Sequence, residues 1–491
     1  MAQDPEIAKT NGNENSYRSI LKGTSLLGGV QVLQILVNLV RGKFVAMFLG
    51  PEGMGISSLF TSSCNTLTQF SSVGLNLAIV KDVAASDKAT SNHVLAVAMK
   101  LTQLTAVAGA LCCALLSPLL SRITFGSDAY SWQFVLLSLA VYLAVSGNGK
   151  LAVLQGMHEL KRFSLASLIG ALTGLFVGVP LYYFFGNSGI VPALVILFLS
   201  TWIFYTWNLR KVTPGERIKF NMAVHKPIVK RLLSLGLVLM ATNMLITLSI
   251  YILNIFLRKY GEVDSVGLYQ AANSITNQYS GVVFTAMSVD YFPRLSKVND
   301  NRSKVNEIVN RQAQIVALII APLAILMILS APLLIRILLT DSFLSITPLI
   351  RWMGFGIIVK ALSFPMGYIA FAKGDKRLFF WLEGVFSNIL FLVLSCLFFH
   401  FYGLIGLGYS MVAENTLYLC IIAVVTRLKY GYKPSKGTSA SYVCAILLGG
   451  GCFIFSYFTN PVICYIGMTL IFLTSGTISF TYLRHLLKKA I

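Results

Sequence analysis

Along nearly the whole chain, continuous apolar runs of about 20 residues alternate with short polar turns. The runs do not alternate residue by residue, so they read as helices rather than as strands of a membrane barrel. Each is long enough to cross about 30 Å of hydrocarbon as a helix. Fourteen such spans are predicted, at 24–48, 55–79, 95–119, 130–150, 163–185, 188–208, 232–257, 266–290, 313–339, 346–371, 379–400, 403–426, 441–458 and 461–482. The expected fold class is all-α: a polytopic membrane protein of about 14 transmembrane helices. The polar first 22 residues carry Asp4, Glu6, Lys9 and Arg18, unlike a cleaved signal peptide, so the first helix is expected to be retained.

Composition agrees with this. The chain is 56% hydrophobic and only 12% charged, too apolar to cover a water-facing surface. Of its 39 basic residues, 29 fall in one alternate set of loops. That set holds Lys9, Arg18 and Lys22, then Lys81 and Lys88, then Lys161 and Arg162. The long loop 209–231 adds seven more, from Arg210 to Arg231. Later members run from Arg294 to Arg311, from Lys373 to Arg377, from Arg427 to Lys436, and into the tail at Arg484, Lys488 and Lys489. The opposite loops hold Arg122 and the helix-end residues Arg258 and Lys259. Lys and Arg favour the cytoplasmic side, so both termini are expected there, which requires an even number of spans. The net charge of +21 is mostly this topology signal, and no nucleic-acid partner is expected.

Two turns suggest an internal repeat. Span 1 ends in Leu49-Gly50-Pro51-Glu52-Gly53-Met54-Gly55, and span 7 ends in Tyr260-Gly261-Glu262-Val263-Asp264-Ser265-Val266-Gly267. Gly55 and Gly267 are 212 residues apart, with an even number of spans between the turns, as in a parallel repeat. The predicted organisation is a cytoplasmic segment 1–22, a six-helix bundle 23–208 and a linker 209–231. A second six-helix bundle follows at 232–426, then a further helix pair with a tail at 427–491.

Polar residues inside the spans are the candidate chemistry, because charge in a bilayer core usually faces a cavity or a partner. Gln31, Gln34, Asn38 and Arg41 recur at helical spacing on span 1, and Asn243, Thr247, Tyr251, Asn254 and Arg258 do so on span 7. Span 2 offers Asn65, Gln69, Ser72 and Asn76, and span 8 offers Asn273, Asn277 and Ser280. Together they are expected to line a hydrated cavity, since amides and hydroxyls both donate and accept hydrogen bonds to sugars. The plainer alternative is that they join helices to one another. Arg41, Lys43, Lys100, Lys150, Arg351 and Lys360 outnumber the acidic Glu383, Glu414 and Asp290, which predicts a net positive cavity and an anionic cargo. Lys43 should point away from Arg41, and Lys150, at a span end, reads as snorkelling. Arg351 and Lys360 are nine residues apart, near opposite faces of a straight helix, unless Pro348, Gly354, Gly356 and Pro365 break it. Glu383, Glu414 and Asp290 are candidates for carrying a coupling proton or sodium ion. They equally suit pairing with a lysine or arginine. The eight cysteines lie in apolar runs without ligand spacing, and no two histidines are spaced as ligands, so neither metal nor cofactor is expected. No GxxxxGK[ST] motif occurs, which excludes ATP hydrolysis by that route.

The segment Arg41-Gly42-Lys43-Phe44-Val45-Ala46-Met47-Phe48-Leu49-Gly50-Pro51-Glu52-Gly53-Met54-Gly55 resembles the polysaccharide transporter family. That family includes Wzx-type O-antigen flippases and belongs to the multidrug/oligosaccharidyl-lipid/polysaccharide (MOP) exporter superfamily. Ser72-Val73-Gly74-Leu75 and Ala286-Met287-Ser288-Val289-Asp290-Tyr291-Phe292-Pro293-Arg294-Leu295-Ser296 fit it too. The resemblance implies two six-helix bundles in a V shape, alternating access in a bacterial inner membrane, and an appended helix pair that docks the lipid tail. It implies a cargo of undecaprenyl-pyrophosphate-linked oligosaccharide, such as an O-antigen unit of lipopolysaccharide. Its expected partners are membrane lipids, a polysaccharide polymerase and a chain-length regulator. The expected cargo-binding residues are Arg41, Lys100, Arg351, Lys360, Arg258, Asn38, Gln34, Asn65, Gln69, Asn273 and Asn277. A lipid II or multidrug exporter is the alternative within the superfamily. A membrane polymerase or glycosyltransferase fits poorly, because the outward loops are short and carry no acidic pair. No catalytic residue is therefore expected.

Overall fold

Glycine and proline punctuate a chain that is otherwise helical wherever it is described. The computed structural model describes residues 5–86, 88–157, 159–212 and 221–490, with side chains up to 29 and at scattered later positions outside that set. Lys9, Arg18, Lys22, Lys88, Lys161, Lys488, Lys489, Gln31 and Asp290, named above, and Arg217 and Lys219 of the loop 209–231 lie outside the described side chains.

Unit-spanning helix α1 (Pro5–Ser72) is interrupted at Gly50, the junction expected between spans 1 and 2. Helices α2 (Leu75–Ala84), α3 (Lys88–Leu115), α4 (Ser117–Phe125), α5 (Ser131–Gly156), α6 (Leu160–Phe176), α7 (Gly178–Phe185) and α8 (Ile190–Val212) follow. α9 (Met222–Lys297) carries spans 7 and 8 on either side of a break at Gly261 and Glu262. Then come α10 (Arg302–Leu338), α11 (Thr347–Ala372), the one-turn α12 (Lys376–Phe379), α13 (Ser387–Tyr402), α14 (Gly406–Val425), α15 (Lys436–Phe455) and α16 (Pro461–Ala490). Nine stretches of the described residues are long and apolar enough to cross a membrane, and three of them, such as Lys376–Tyr430 with 55 residues, hold two predicted spans.

The chain falls into two compact units. Unit 1 takes residues 1–48 and 60–244, and unit 2 takes 49–59 and 245–491. The division falls inside α9 rather than in the basic loop 209–231, and the turn 49–59 belongs with the second unit. In unit 1, α2, α3, α5, α8 and the start of α9 share a core that includes Ile79, Val97, Val153 and Leu232. In unit 2, α10 and α11 pack with α15 and α16 around Ile325, Ile328, Ile358 and Met468, so the last helix pair is part of the second unit's core.

The repeat shows in the backbone. Gly50 has φ 64° and ψ −166°, and Glu262, 212 residues later, has φ 65° and ψ 176°. This region is close to glycine-only, so Glu262 holds it under strain. Inside unit 2 the two turns then pack reciprocally. A Cβ on Gly55 would lie 2.2 Å from the Val263 carbonyl oxygen, and one on Gly267 would lie 1.9 Å from that of Pro51. The same offset relates the partners, 51 to 263 as 55 to 267. Only glycine permits backbones this close.

Candidate functional site

Unit 2 contains a cavity of about 600 Å³. It is walled by both halves of α9, by α11, by α13 and α14, and by a π-helical turn at Phe380–Phe386. π-Turns shift the residues they carry relative to the rest of the helix, and this one carries Glu383 into the wall. The Tyr418 hydroxyl donates to Glu383 Oε1. Gly367 of α11 makes room for that carboxylate, since a Cβ there would meet Glu383 Oε1 at 2.8 Å. Glu414 lies one turn before Tyr418 on α14 and faces the same space. Lys360 of α11 is exposed into it, with its ammonium 5.8 Å from the Phe284 ring centroid. Asn273 and Asn277 line the span 8 side, where Asn277 Nδ2 donates to Asn273 Oδ1 at 2.8 Å. Rings of Phe364, Tyr368, Phe371, Phe379 and Phe391 supply flat apolar walls. The arrangement offers amides and carboxyls for hydrogen bonds, ring faces for stacking, and one lysine ammonium.

Several expectations change. The lining of this cavity has one lysine and two glutamates, so its own formal charge balance is acidic. On span 7 the cavity receives Ile246, Ile250 and Leu253, not the polar stripe that ends at Arg258. The stripe's Asn254 is 1% exposed and donates to Ser58 Oγ at 3.5 Å, so that face meets the turn segment 49–59. Arg258 is half-buried on the same helix, away from the lining.

Arg351 does not stand beside Lys360. α11 stays helical through Gly354, Gly356 and Pro365, so the two face apart. Arg351 Nη1 donates to the Ser456 carbonyl oxygen at 3.0 Å, where α15 ends and a cation suits the helix dipole. Lys150 does not snorkel. It is 6% exposed, donates to Thr206 Oγ1 at 2.7 Å, and sits 3.6 Å from the Trp202 ring centroid.

The remaining candidates belong to unit 1. Arg41 is half-buried, and its guanidinium lies against α6, where a Cβ on Gly174 would be 2.8 Å from Nη1. It has no ion pair among the described residues. Gln34, Asn38 and Gln69 are half-buried, while Asn65 and Lys100 are exposed. None of these lines the unit 2 cavity.

Two further sets of cavity residues recur at one-turn spacing. Ser410, Glu414 and Tyr418 on α14, and Glu383, Ser387, Phe391 and Ser395 after α12, recur at the same one-turn spacing as the stripes of spans 1 and 7. Tyr269, Gln270 and Asn388 also line the cavity without having been singled out.

Fold and cavity together define a polytopic helical membrane protein with the architecture of MOP superfamily transporters. An inward-facing multidrug resistance MATE family transporter of that superfamily matches with a TM-score of 0.70 at 17% identity, over 81% of this chain and 94% of that one. The Lipid II flippase MurJ, in an inward closed conformation, matches with a TM-score of 0.70 at 12% identity, over 94% of this chain and 99% of that one. A family model described as "Polysaccharide biosynthesis protein" matches residues 44–348, so the chain belongs to that family. A relative in Escherichia coli (strain K12), the "Lipid III flippase", is 22% identical over 82% of this chain and 97% of its own length.

Proposed function

We propose that the protein is a flippase that carries an undecaprenyl-pyrophosphate-linked oligosaccharide across the bacterial inner membrane by alternating access, without altering it. The carrying observation is the cavity among unit 2's transmembrane helices, lined by amides, hydroxyls, ring faces and Lys360. Sugars present both hydroxyls and apolar ring faces, and these walls complement each. Family membership and the E. coli relative named a Lipid III flippase support the same cargo class. The glycan enters the cavity while the prenyl tail stays in lipid, and Lys360 meets the phosphate charge. Within unit 1, Arg41 is the candidate phosphate contact. Asn273 and Asn277 hold sugar hydroxyls. Both termini face the cytoplasm, following the loop charges.

The test is purified protein in liposomes with a fluorescent lipid-linked oligosaccharide on one leaflet. Protein-dependent movement of intact lipid to the other leaflet, cut roughly tenfold in K360A and reduced in R41A, is expected. Movement at the protein-free rate would overturn the reading. A second reading, export of organic cations, is favoured by one observation: the two carboxyls that outnumber Lys360. Ethidium efflux by the same liposomes, with no lipid movement, would choose it.

A further inference from the structure

Two carboxyl groups, Glu383 and Glu414, share one ring-walled cavity inside the membrane. Two negative charges there repel each other, so the cavity favours positive charge beside them. A protein has three ways to supply it: a bound metal cation, protons on the carboxyls, or a cation of its own. Among the described residues no group of three His, Cys, Asp or Glu side chains is placed to hold a metal ion.

Lys360 is the cation present. It lines the same cavity, and its charge acts on both carboxyls. Yet no ion pair joins it to either one among the described residues. The two acids are held differently. Glu383 is tied to Tyr418 and lodged against Gly367. Glu414 carries no such tie among the described residues. The other ionisable groups facing the space are the phenols of Tyr269, Tyr368 and Tyr418. A lysine has a flexible four-carbon stem and a compact charge. It suits a shared counter-ion that leans to one carboxyl or the other, or to an anionic cargo.

We propose that Lys360 is a resident counter-ion standing where this cavity would otherwise take a sodium ion, so that the protein binds no sodium there until Lys360 is removed. This deepens the flippase reading, since it concerns what accompanies the cargo. It selects between the two coupling ions that Glu383 and Glu414 suit, leaving the proton.

The test needs no cargo, so its outcome is separable from that of the flipping assay. The thermal midpoint of the purified full-length protein is measured in sodium chloride and in choline chloride at equal ionic strength. Wild type and K360R are expected to show equal midpoints in the two salts. K360M, or K360Q should K360M not fold, is expected to gain a sodium-dependent rise of about 2 °C or more. Adding E414Q to that variant should abolish the gain. A sodium-dependent rise in wild type overturns the proposal. So does a folded K360M or K360Q with the same midpoint in both salts.

Discussion

Lys150 and Lys360 lie in apolar helices of unit 1 and unit 2, and their surroundings differ in kind. Lys150 is closed over. Gly149 lets α3 approach so near that a Cβ there would lie 2.2 Å from Thr102 Cγ2, and α8 lays Trp202 and Thr206 across the ammonium. No carboxylate pairs with it among the described residues. Lys360 instead opens into a cavity with two carboxyls, and among the described residues it has no ion pair. The first lysine is satisfied by a ring face and a hydroxyl, and holds helices together. The second is left available. An embedded charge is thus not a site by being embedded. What the neighbouring helices bring to it decides.

The contrast breaks most visibly on the unit 1 side. Trp202→Ala removes the ring under the Lys150 ammonium and leaves a void between α5 and α8. A loss of about 3 kcal/mol is expected. The check is a lowered unfolding midpoint together with faster amide exchange confined to α5 and α8. If exchange rises equally in α11 and α14, Lys150 is not a local clasp.

Next comes the pair of lysines itself. K360M is expected to cut lipid movement roughly tenfold, equal to about 1.4 kcal/mol. K150M should stay within about twofold of wild type, because its partners are a neutral hydroxyl and a ring. Equal defects in the two variants, at equal protein levels, would erase the distinction drawn above.

The difference between the lysines also shows what spacing conveys. Span positions, the helical fold and the break at Gly50 follow from apolar runs and from a Gly-Pro turn, which are local properties. The repeat was legible because Gly55 and Gly267 permit a backbone contact that no other residue would. The direction of the span 7 stripe was not legible. Asn243 to Arg258 are polar at helical spacing whether they face water, cargo or another helix, and Asn254 is used against Ser58. The π-turn around Glu383 leaves no mark in the sequence pattern, since it arises from the backbone between α12 and α13. For Arg351 and Lys360, spacing left open whether proline and glycine break the helix between them; α11 runs on through Pro365 to Ala372, so the straight-helix alternative holds.

A smaller effect tests how finely the acid side of the unit 2 cavity is set. Gly367→Ala would put a Cβ 2.8 Å from Glu383 Oε1. The carboxylate is the far end of a flexible side chain, so it should yield and keep the fold intact. A roughly threefold loss of lipid movement, about 0.7 kcal/mol, is expected with the unfolding midpoint unchanged. Unaltered transport would show that the position of Glu383 against α11 is immaterial.

Lys429 supplies the ordinary case against which both embedded lysines are measured. It pairs with Asp375 in the turn after α11, outside the membrane, and Tyr430 donates to the same carboxylate at 2.8 Å. Lys429, then Tyr430, holds the Asp375 carboxyl below the usual carboxylate range. A carboxyl lowered in the folded state contributes stability that is fully present above its unfolded value. That contribution disappears as pH falls through the lowered one. Lys429 is 50% exposed, so water screens the pair, and about 0.5 kcal/mol is expected. Asp375→Asn should therefore lower the unfolding midpoint slightly at neutral pH, and the gap to wild type should shrink as pH falls below the ordinary carboxyl value. A gap that widens on acidification would mean that Asp375 is not held as a carboxylate by Lys429.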